Sequence, residues 1–440
     1  MDWTTVTMQV TTPLFNGGAD PDGKAGFQPS PDAGVRVASI RGAMRFWFRA
    51  LAGSVTGPDV KRLALMERAV FGGISDQHGE GAAVSSPLIL RLADPPEPVR
   101  DAGFIDGGRA GLRYLLGLGL MKPKKGGADL LRPYVRPGTE FELKIGFRHA
   151  KQTPVEIRTA GETLAFASLW LLCAYGGLGA RTRRGLGGLR ITGIAGNLPQ
   201  PWETVNLLTP GLDFYRNLTW PRLLPAGTSS IYQQDLPALA RLGGPLFIPL
   251  LTALDKWPQQ PPFPVIAKNY VPAALSARSF SSWDDTLNYA GRQWRLFRAN
   301  RPEHDIQARD RGQVRTAEWD NVIHGSQTDF PLGALGLPVG FQDKKSGEKY
   351  EVNAAVPNQP KPEPLRRASP VWLRAVGSGQ SWGLFSFAFQ SQFLPGADRA
   401  RVYLLPSDEL TIGQHHVSEL TTQWLNVLRN GGDFASVIRT

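Results

Sequence analysis

A glycine- and arginine-rich segment carries the clearest chemical signal in the chain. Residues 176–188 have the sequence GGLGARTRRGLGG, and no acidic residue occurs anywhere from Thr163 to Trp202. Glycine lacks a Cβ, so its backbone can approach another chain closely, while arginine side chains neutralise phosphate groups. The segment therefore favours phosphate contact, and a flexible surface loop with solvated arginines is the alternative. The candidate RNA-binding residues here are Gly177, Gly179, Arg181, Arg183, Arg184, Gly185 and Gly187.

A second basic set is formed by Arg41, Arg45 and Arg49 within SIRGAMRFWFRALAG. A helix turns by about 100° per residue, so these three side chains share one face and the apolar residues form another. Like charges at this spacing repel by a few tenths of a kcal/mol per pair. An anion lying across the face would remove that cost, which predicts contact with RNA. Solvation of the face, or partners elsewhere in the fold, are equally good explanations.

Catalytic and metal-binding patterns are sparse in this sequence. The pair His415-His416 has no second pair of ligands nearby, so no metal site and no cofactor are expected. Cys173 lies in an apolar stretch and is expected to be a core residue. Asp20, Asp22 and Asp32 share a Gly/Pro-rich loop, where turn formation is the expected role. The glycine-rich segment follows a predicted helix and precedes a predicted strand, which is opposite to the order in dinucleotide-binding motifs.

Composition points to an intracellular protein with a polyanionic partner. The 440 residues carry a formal charge of +11, which favours nucleic acid over a membrane surface. The single cysteine excludes an intrachain disulfide and fits a reducing cytoplasm. The first residues, MDWTTVTMQV, do not resemble a signal peptide. The most apolar stretch, Leu164 to Tyr175, is too short to span a bilayer, so no membrane association is expected.

The elements of the first half follow the order β-α-β-β-α-β. Alternating or apolar patterns predict four strands, and 3.6-residue periodicity predicts two helices, the first capped by Ser39 and ended by Gly53. This order is that of a ferredoxin-like domain, in which two helices cover one face of an antiparallel sheet. We expect residues 1–205 to form such a domain. The predicted strands are 4–10, 87–92, 139–147 and 189–194, and the predicted helices are 39–52 and 162–175.

The second half repeats this order, so we predict an α+β protein with two ferredoxin-like domains in tandem. Two pairs of short similar segments, SPLILRL with SPVWLRA and RFWFRA with RQWRLFRA, occur in the same order along both halves. The second domain is expected within residues 206–440, after a linker of about 206–263 whose end, 257–264, contains four prolines. The predicted elements are strands 264–271, 371–376, 384–393 and 434–438, and helices 284–299 and 417–429.

The duplicated domain and the glycine-rich segment together resemble the RAMP superfamily of CRISPR proteins. The glycine loop of that family has the form G-φ-G, five residues, G-φ-G, where φ is apolar, and residues 177–187 match it fully. Other stretches resemble one group within the superfamily, the first RAMP subunit of the type III-B effector. That effector is called the Cmr complex. These stretches are TPLFNGG (12–18), IRGAMRFWFRAL (40–51), ERAVFGG (67–73), LGLPVGF (335–341) and RRASPVWLRA (366–375).

The resemblance implies a subunit that binds RNA without cutting it. Its partners would be guide RNA, held near the 3′ end, target RNA, and the other RAMP subunits of the complex, with no small-molecule substrate. In this family, target cleavage is attributed to an aspartate of a different subunit. Arg366 and Arg367 lie in a family-like stretch and join the candidate RNA contacts, as do Lys122, Lys124 and Lys125 of the basic segment 122–136. The second half departs from the pattern, because its glycine loop is reduced to Arg429-Asn430-Gly431-Gly432.

Two other functions fit the resemblance less well. A RAMP endoribonuclease that processes CRISPR transcripts usually carries a general-base histidine near the first helix, and here no histidine precedes His78. A structural subunit that contacts only protein would tolerate loss of the arginines of segment 176–188 without a change in RNA affinity.

Overall fold

The computed structural model shows a mixed protein of helices and antiparallel strands, as the sequence predicts. The structure describes residues 2–17, 34–75, 82–125, 127–218, 223–243, 260–267, 269–300, 318–325, 328–343, 346–354, 365–394, 399–403 and 409–431. We call residues 1–205 the first half of the chain and residues 206–440 the second half.

Four strands form the main sheet of the first half, and each coincides with a predicted strand to within one residue. All pairings are antiparallel, and the order across the sheet is β4-β7-β1-β8. In β1, buried and partly exposed residues alternate, which is the pattern of a strand with one face on a core. The strands are β1 (Thr4–Val10), β4 (Leu88–Ala93), β7 (Glu140–Phe147) and β8 (Leu189–Ala195).

Two long helices, α1 (Val37–Thr56) and α4 (Val155–Ala174), pack together and share one apolar core with this sheet. Both are longer than predicted. The first helix continues through Gly53, which is buried against Phe263, and ends instead before Gly57, whose φ is +61°. Ser39 does not cap it; Arg36 occupies that position.

Shorter elements, most of which the sequence analysis did not predict, connect these strands and helices. Two of these strands, Met121–Lys124 and Gly127–Leu130, pair as an antiparallel hairpin that carries the lysines of the basic segment. The elements are α2 (Val60–Phe71), β2 (Gly73–Ser75), β3 (Ala82–Val84), α3 (Ala110–Leu116), β5 (Met121–Lys124) and β6 (Gly127–Leu130).

The second half contains a three-stranded antiparallel sheet in the order β12-β13-β9, with two long helices. Its elements are β9 (Ala273–Phe280), α7 (Trp283–Ala299), β12 (Val371–Ser378), β13 (Ser381–Ala388) and α9 (Gln414–Arg429). The prediction of a first strand over 264–271 is wrong. That segment turns toward the first half instead, since the N–H of Ile266 donates to the carbonyl of Ala50 at 2.7 Å. The predicted last strand, 434–438, lies outside the described residues.

A second antiparallel sheet, in the order β10-β11-β14-β15, completes the described part of the second half. Its strands are β10 (Val339–Gln342), β11 (Lys349–Ala354), β14 (Arg399–Tyr403) and β15 (Glu409–Thr411). The remaining helices are α5 (Leu212–Arg216), α6 (Leu236–Ala240) and α8 (Trp319–His324), with a π-helical turn at Ile231–Asp235. Residues from α5, α6 and the π-helical turn are buried in the core of the first half.

The two halves share their cores rather than meeting at a polar boundary. Trp372 and Phe387 of the second half contact Trp47 of α1, with ring centroids 5.7 and 6.2 Å apart. Helix α3 of the first half crosses α7 of the second so closely that a Cβ on Gly291 would lie 1.9 Å from the carbonyl oxygen of Gly111. Elements of both halves are therefore needed to complete one interior.

Candidate nucleic-acid interface

The glycine-rich segment, which we call the glycine loop (residues 176–188), follows α4 and leads into β8. Its backbone is hydrogen-bonded to residues 13–15 of the TPLFNGG stretch. The N–H of Ala180 donates to the carbonyl of Phe15 at 2.7 Å, and the N–H of Gly187 donates to that of Pro13 at 2.9 Å. Across its base, the N–H of Leu178 donates to the carbonyl of Gly187 at 2.8 Å. The loop is thus a fixed structure rather than a flexible connection.

The glycines allow the chain to approach itself. A Cβ on Gly187, whose φ is +68°, would lie 1.9 Å from the Leu178 carbonyl oxygen, and one on Gly179 would lie 2.3 Å from that of Phe15. A Cβ on Gly177 would lie 2.9 Å from the carbonyl oxygen of Gly187. Gly185 is buried against the side chain of Leu287 in α7. Close packing accounts for these four glycines, whereas their contact with RNA stays a prediction.

Arg183 and Arg184 point into the protein. The Arg183 guanidinium donates to the Ser369 carbonyl at 2.5 Å and lies over the indole of Trp372, 5.2 Å from the ring centroid. Arg184 donates to the carbonyls of Tyr114 and Leu115, at 3.4 and 3.3 Å. Burial lowers the pKa of each arginine to about 10, so both stay charged at neutral pH. Among the described residues, neither guanidinium pairs with a carboxylate.

Arg181 is the exposed arginine of the glycine loop. Its backbone is left-handed, with φ at +62°, an uncommon conformation for a residue other than glycine. Among the described residues its guanidinium has no acidic partner and no hydrogen bond. Partial burial, followed by the charge of Arg132, lowers the pKa of Arg181, and the charge of Arg181 in turn lowers that of Arg184. An exposed guanidinium without an acidic partner among the described residues can donate to a phosphate group.

Arg374 in β12 was missed by the sequence analysis, although it contacts the ends of the glycine loop. It is 5% exposed, and its guanidinium donates to the carbonyls of Cys173, Gly176 and Leu189, the last at 2.8 Å. Burial lowers its pKa, whereas Tyr215 and Cys173 raise it. An arginine within the apolar run VWLRAV was the available signal, since a charged side chain in a buried strand requires partners.

The basic face of the first helix has partners inside the protein. Arg45 and Arg49 both reach Glu67 of α2, with N–O distances of 3.3 and 3.1 Å. Arg45 also donates to the carbonyls of Phe71 and Gly72, and Arg41 donates to that of Leu88 at 3.4 Å. One of the alternatives from the sequence, partners elsewhere in the fold, is present. These partners are separate from those of the glycine-loop arginines, which donate to the carbonyls of Ser369, Tyr114 and Leu115.

The remaining candidates lie at other points on the surface. Lys122, Lys124 and Lys125 are exposed on the β5–β6 hairpin, where Lys124 pairs with Asp129 at 2.5 Å. Arg366 is exposed. Arg367 is partly buried, donates to the Gln392 carbonyl at 2.6 Å and lowers the pKa of Arg183 through its charge. Arg367 therefore belongs to the surroundings of the glycine loop, while the three lysines belong to the hairpin.

Groups suited to acid–base or metal chemistry are scattered in the described part of the chain. No cluster of three or more His, Cys, Asp or Glu side chains occurs there with a geometry that could hold a metal ion. Burial raises the pKa of Cys173 to about 12, so its thiol is protonated at neutral pH. Asp20, Asp22, Asp32 and His78 lie outside the described residues. Among the described helices, none combines the length and apolar character that crossing a membrane requires.

Comparison with known proteins identifies the class of the first half. Residues 7–190 match the model of the RAMP superfamily, a segment that contains both long helices, the whole glycine loop, two complete strands of the main sheet and parts of β1 and β8. The matched segment is less than half of the chain, and it is similar to the RAMP superfamily.

Two curated relatives come from Pyrococcus furiosus. The CRISPR system Cmr subunit Cmr1-1 is 33% identical over 160 residues, which are 36% of this chain and 40% of the relative. The CRISPR system Cmr subunit Cmr1-2 is 28% identical over 198 residues, which are 42% of this chain and 92% of that relative. The crystal structure of Cmr1 from the same organism, in its apo form, aligns with a TM-score of 0.47 and 19% identity, covering 95% of this chain and 97% of the other.

Proposed function

We propose that this chain is a non-catalytic, RNA-binding subunit of a type III-B CRISPR effector. The RAMP segment and the names of the two Cmr relatives support the assignment to such an effector. The proposed ligands are guide RNA, near its 3′ end, and the target RNA paired with it. Contact is with the sugar-phosphate backbone, because base pairing between guide and target supplies the sequence information.

The observation that carries the RNA-binding proposal is the exposure of the Arg181 side chain. Its guanidinium is exposed and, among the described residues, carries a positive charge that no carboxylate neutralises. Phosphate contacts from arginine position nucleic acids without selecting their bases. The net charge of +11 acts in the same direction by attracting polyanions over longer distances. Among the predicted site residues, Arg181 is therefore the first choice for a direct phosphate contact.

The domain organisation belongs to the same proposal. If the four strands of the main sheet are numbered 1 to 4 in chain order, their order across the sheet is 2-3-1-4. This order is consistent with a ferredoxin-like domain over residues 1–205. The second half has its first three core strands in the order 2-3-1, consistent with a degenerate second copy within 206–440. We propose that both domains, together with other RAMP subunits, act in the cytoplasm and that cleavage of RNA belongs to other subunits.

Replacing Arg181 tests the proposed function. Arg181→Ala should weaken binding of single-stranded RNA about tenfold, the usual cost of one charged hydrogen-bonded contact. The slope of log K against log salt concentration should fall by about 0.7, since one phosphate contact is lost. Fluorescence anisotropy with a labelled RNA, at several salt concentrations, measures both quantities.

Arg49→Ala is the matched control, because Arg49 is also an exposed arginine but is already paired with Glu67 at 3.1 Å. We expect this variant to change RNA affinity less than twofold. If Arg49→Ala reduces affinity and salt slope while Arg181→Ala does not, the RNA lies on the helix face instead. If the wild-type protein binds RNA with the same affinity at low and high salt, the proposal of a backbone contact is wrong.

A further inference from the structure

The glycine loop is held by the second half of the chain along one strand, β12. The N–H of Leu373 donates to the carbonyl of Arg183 at 2.9 Å, and Leu373 forms a parallel β-bridge with Arg184. Before that bridge in the chain, Trp372 lies under the Arg183 guanidinium, and the carbonyl of Ser369, just ahead of β12, accepts its hydrogen bond. Consecutive residues of β12 thus bind the central part of the loop.

Arg374, the next residue of β12, binds the two ends of the same loop. Its guanidinium reaches the carbonyl of Gly176, where the loop begins, and that of Leu189, where β8 begins. A third bond goes to Cys173, in the last turn of α4, where helical carbonyls lack partners within the helix. The planar guanidinium carries five donors in a rigid fork, so a single side chain can fix all three carbonyls in relation to one another. The positive charge is also favoured at the carboxyl end of a helix.

From this arrangement we infer that Arg374 is a positioning residue for the RNA site. It belongs to the second half and is buried, so it cannot itself contact RNA. By fixing both ends of the glycine loop, it holds Arg181 in its left-handed conformation and toward solvent. The second half therefore contributes to RNA affinity through the shape of the loop, independently of any RNA contact of its own. The inference rests on the proposed function, because it concerns the same RNA-binding loop.

The experiment compares Arg374→Lys with Arg190→Lys. Lysine keeps the charge at position 374 but offers a single ammonium group in place of the fork. Arg190 is the matched control, because it also crosses between the halves, donating to the Gly377 carbonyl at 3.5 Å, but contacts no carbonyl of the glycine loop. We expect Arg374→Lys to weaken RNA binding about tenfold with an unchanged salt slope, and Arg190→Lys to change affinity less than twofold. Affinities are measured well below the unfolding temperature of each variant, so that loss of global stability alone does not lower them.

A second measurement applies even if affinity is hard to interpret. Amide hydrogen exchange, followed by mass spectrometry, should be faster in peptides covering 176–189 of Arg374→Lys, while peptides from β1 and β7 keep wild-type protection. In the double variant with Arg181→Ala, the two losses of affinity should be less than additive, because a displaced Arg181 has already lost its contact.

The outcomes separate this inference from the proposed function. If Arg181→Ala lowers affinity but Arg374→Lys leaves both affinity and loop exchange unchanged, only the positioning role is wrong. If Arg181→Ala has no effect on RNA binding, the proposed RNA site is wrong, whatever Arg374→Lys does to the loop. Fully additive losses in the double variant would also overturn the positioning role, because they would mean that the two residues act separately.

Discussion

Gly187 has a φ of +68° and faces the Leu178 carbonyl at the base of the glycine loop. The sequence suggested that loop glycines let RNA approach the backbone, but the space beside Gly187 is already filled by the chain itself. Both the backbone angle and the contact exclude a side chain here. Replacing such a glycine should therefore affect the folded structure before it affects any ligand.

We predict that Gly187→Val lowers the free energy of unfolding by more than about 3 kcal/mol, because strain in the backbone and a collision with a carbonyl act together. Chemical denaturation followed by circular dichroism measures this loss. Gly42→Ala is the control: Gly42 lies exposed in α1, and no atom lies within 4 Å of a Cβ there. That change should stabilise the helix by up to about 1 kcal/mol. Normal stability of Gly187→Val combined with lost RNA affinity would restore the interpretation drawn from the sequence.

Asp235, in the π-helical turn, gives a second prediction for a single residue. Burial raises its pKa to about 7, and its Oδ2 has no hydrogen-bond partner in the described part of the chain. The unfolded chain has the ordinary pKa of about 3.9, so between roughly pH 4 and 7 the folded state binds the extra proton. Stability contributed by this group is therefore present at about pH 4 and is lost as the pH rises toward 7.

Asp235→Asn should remove this dependence on pH. Between pH 4 and pH 8, the free energy of unfolding of the variant should therefore rise by roughly 2–4 kcal/mol relative to that of the wild type. Urea denaturation at several pH values measures the difference. Asp213→Asn serves as the control, since Asp213 is 84% exposed and pairs with Arg216 on the surface. Parallel stability curves for the wild type and Asp235→Asn would show that Asp235 titrates normally in the folded protein.

At the scale of secondary-structure elements, the sequence predicted best where periodicity is regular. The four strands of the first sheet follow alternating or continuous apolar patterns, and each lies within one residue of its prediction. Helix ends were less accurate, because glycine was taken as a stop at position 53, whereas packing against Phe263 places that glycine inside α1. Strand β9 was placed too early because its sequence, AALSARSF, alternates weakly. Here tertiary contacts outweighed local preference.

The candidate site shows the same limit for its arginines. Local sequence identified Arg183 and Arg184 as a basic pair, but their carbonyl partners, on Ser369 and Tyr114, lie 186 and 70 residues away along the chain. The sequence left RNA contact, solvation and internal partners open for the first helix, and it did not identify Glu67 as the partner of Arg45 and Arg49. Residue types are visible in a sequence, whereas partners distant along the chain are set by the fold. Only the structure separates Arg181 from its neighbours as the exposed cation.

For the whole molecule, the crossing of α3 and α7 joins the two halves. Asn288 of α7 accepts hydrogen bonds from the N–H groups of Gly111 and Leu112, at 3.0 and 3.3 Å, and so caps the first turn of α3. Nearby, Arg109 pairs with Asp284 and Asp285 at 2.6 and 2.5 Å, and this pairing lowers the pKa of Asp285. Each of the two apolar cores contains residues of both halves, so neither half has a complete interior alone.

We therefore predict that the described halves unfold together, in a single calorimetric transition, and that Gly291→Ala lowers the midpoint of that transition. A methyl group at Gly291 would lie 1.9 Å from the Gly111 carbonyl oxygen, so the helices must separate, at a cost of several kcal/mol. Gly340→Ala in β10 is the control, since no atom lies within 4 Å of its added carbon. Two separate transitions in the wild-type protein, with only one of them shifted by Gly291→Ala, would mean that the halves fold independently. In that case the glycine loop could not depend on β12 for its shape.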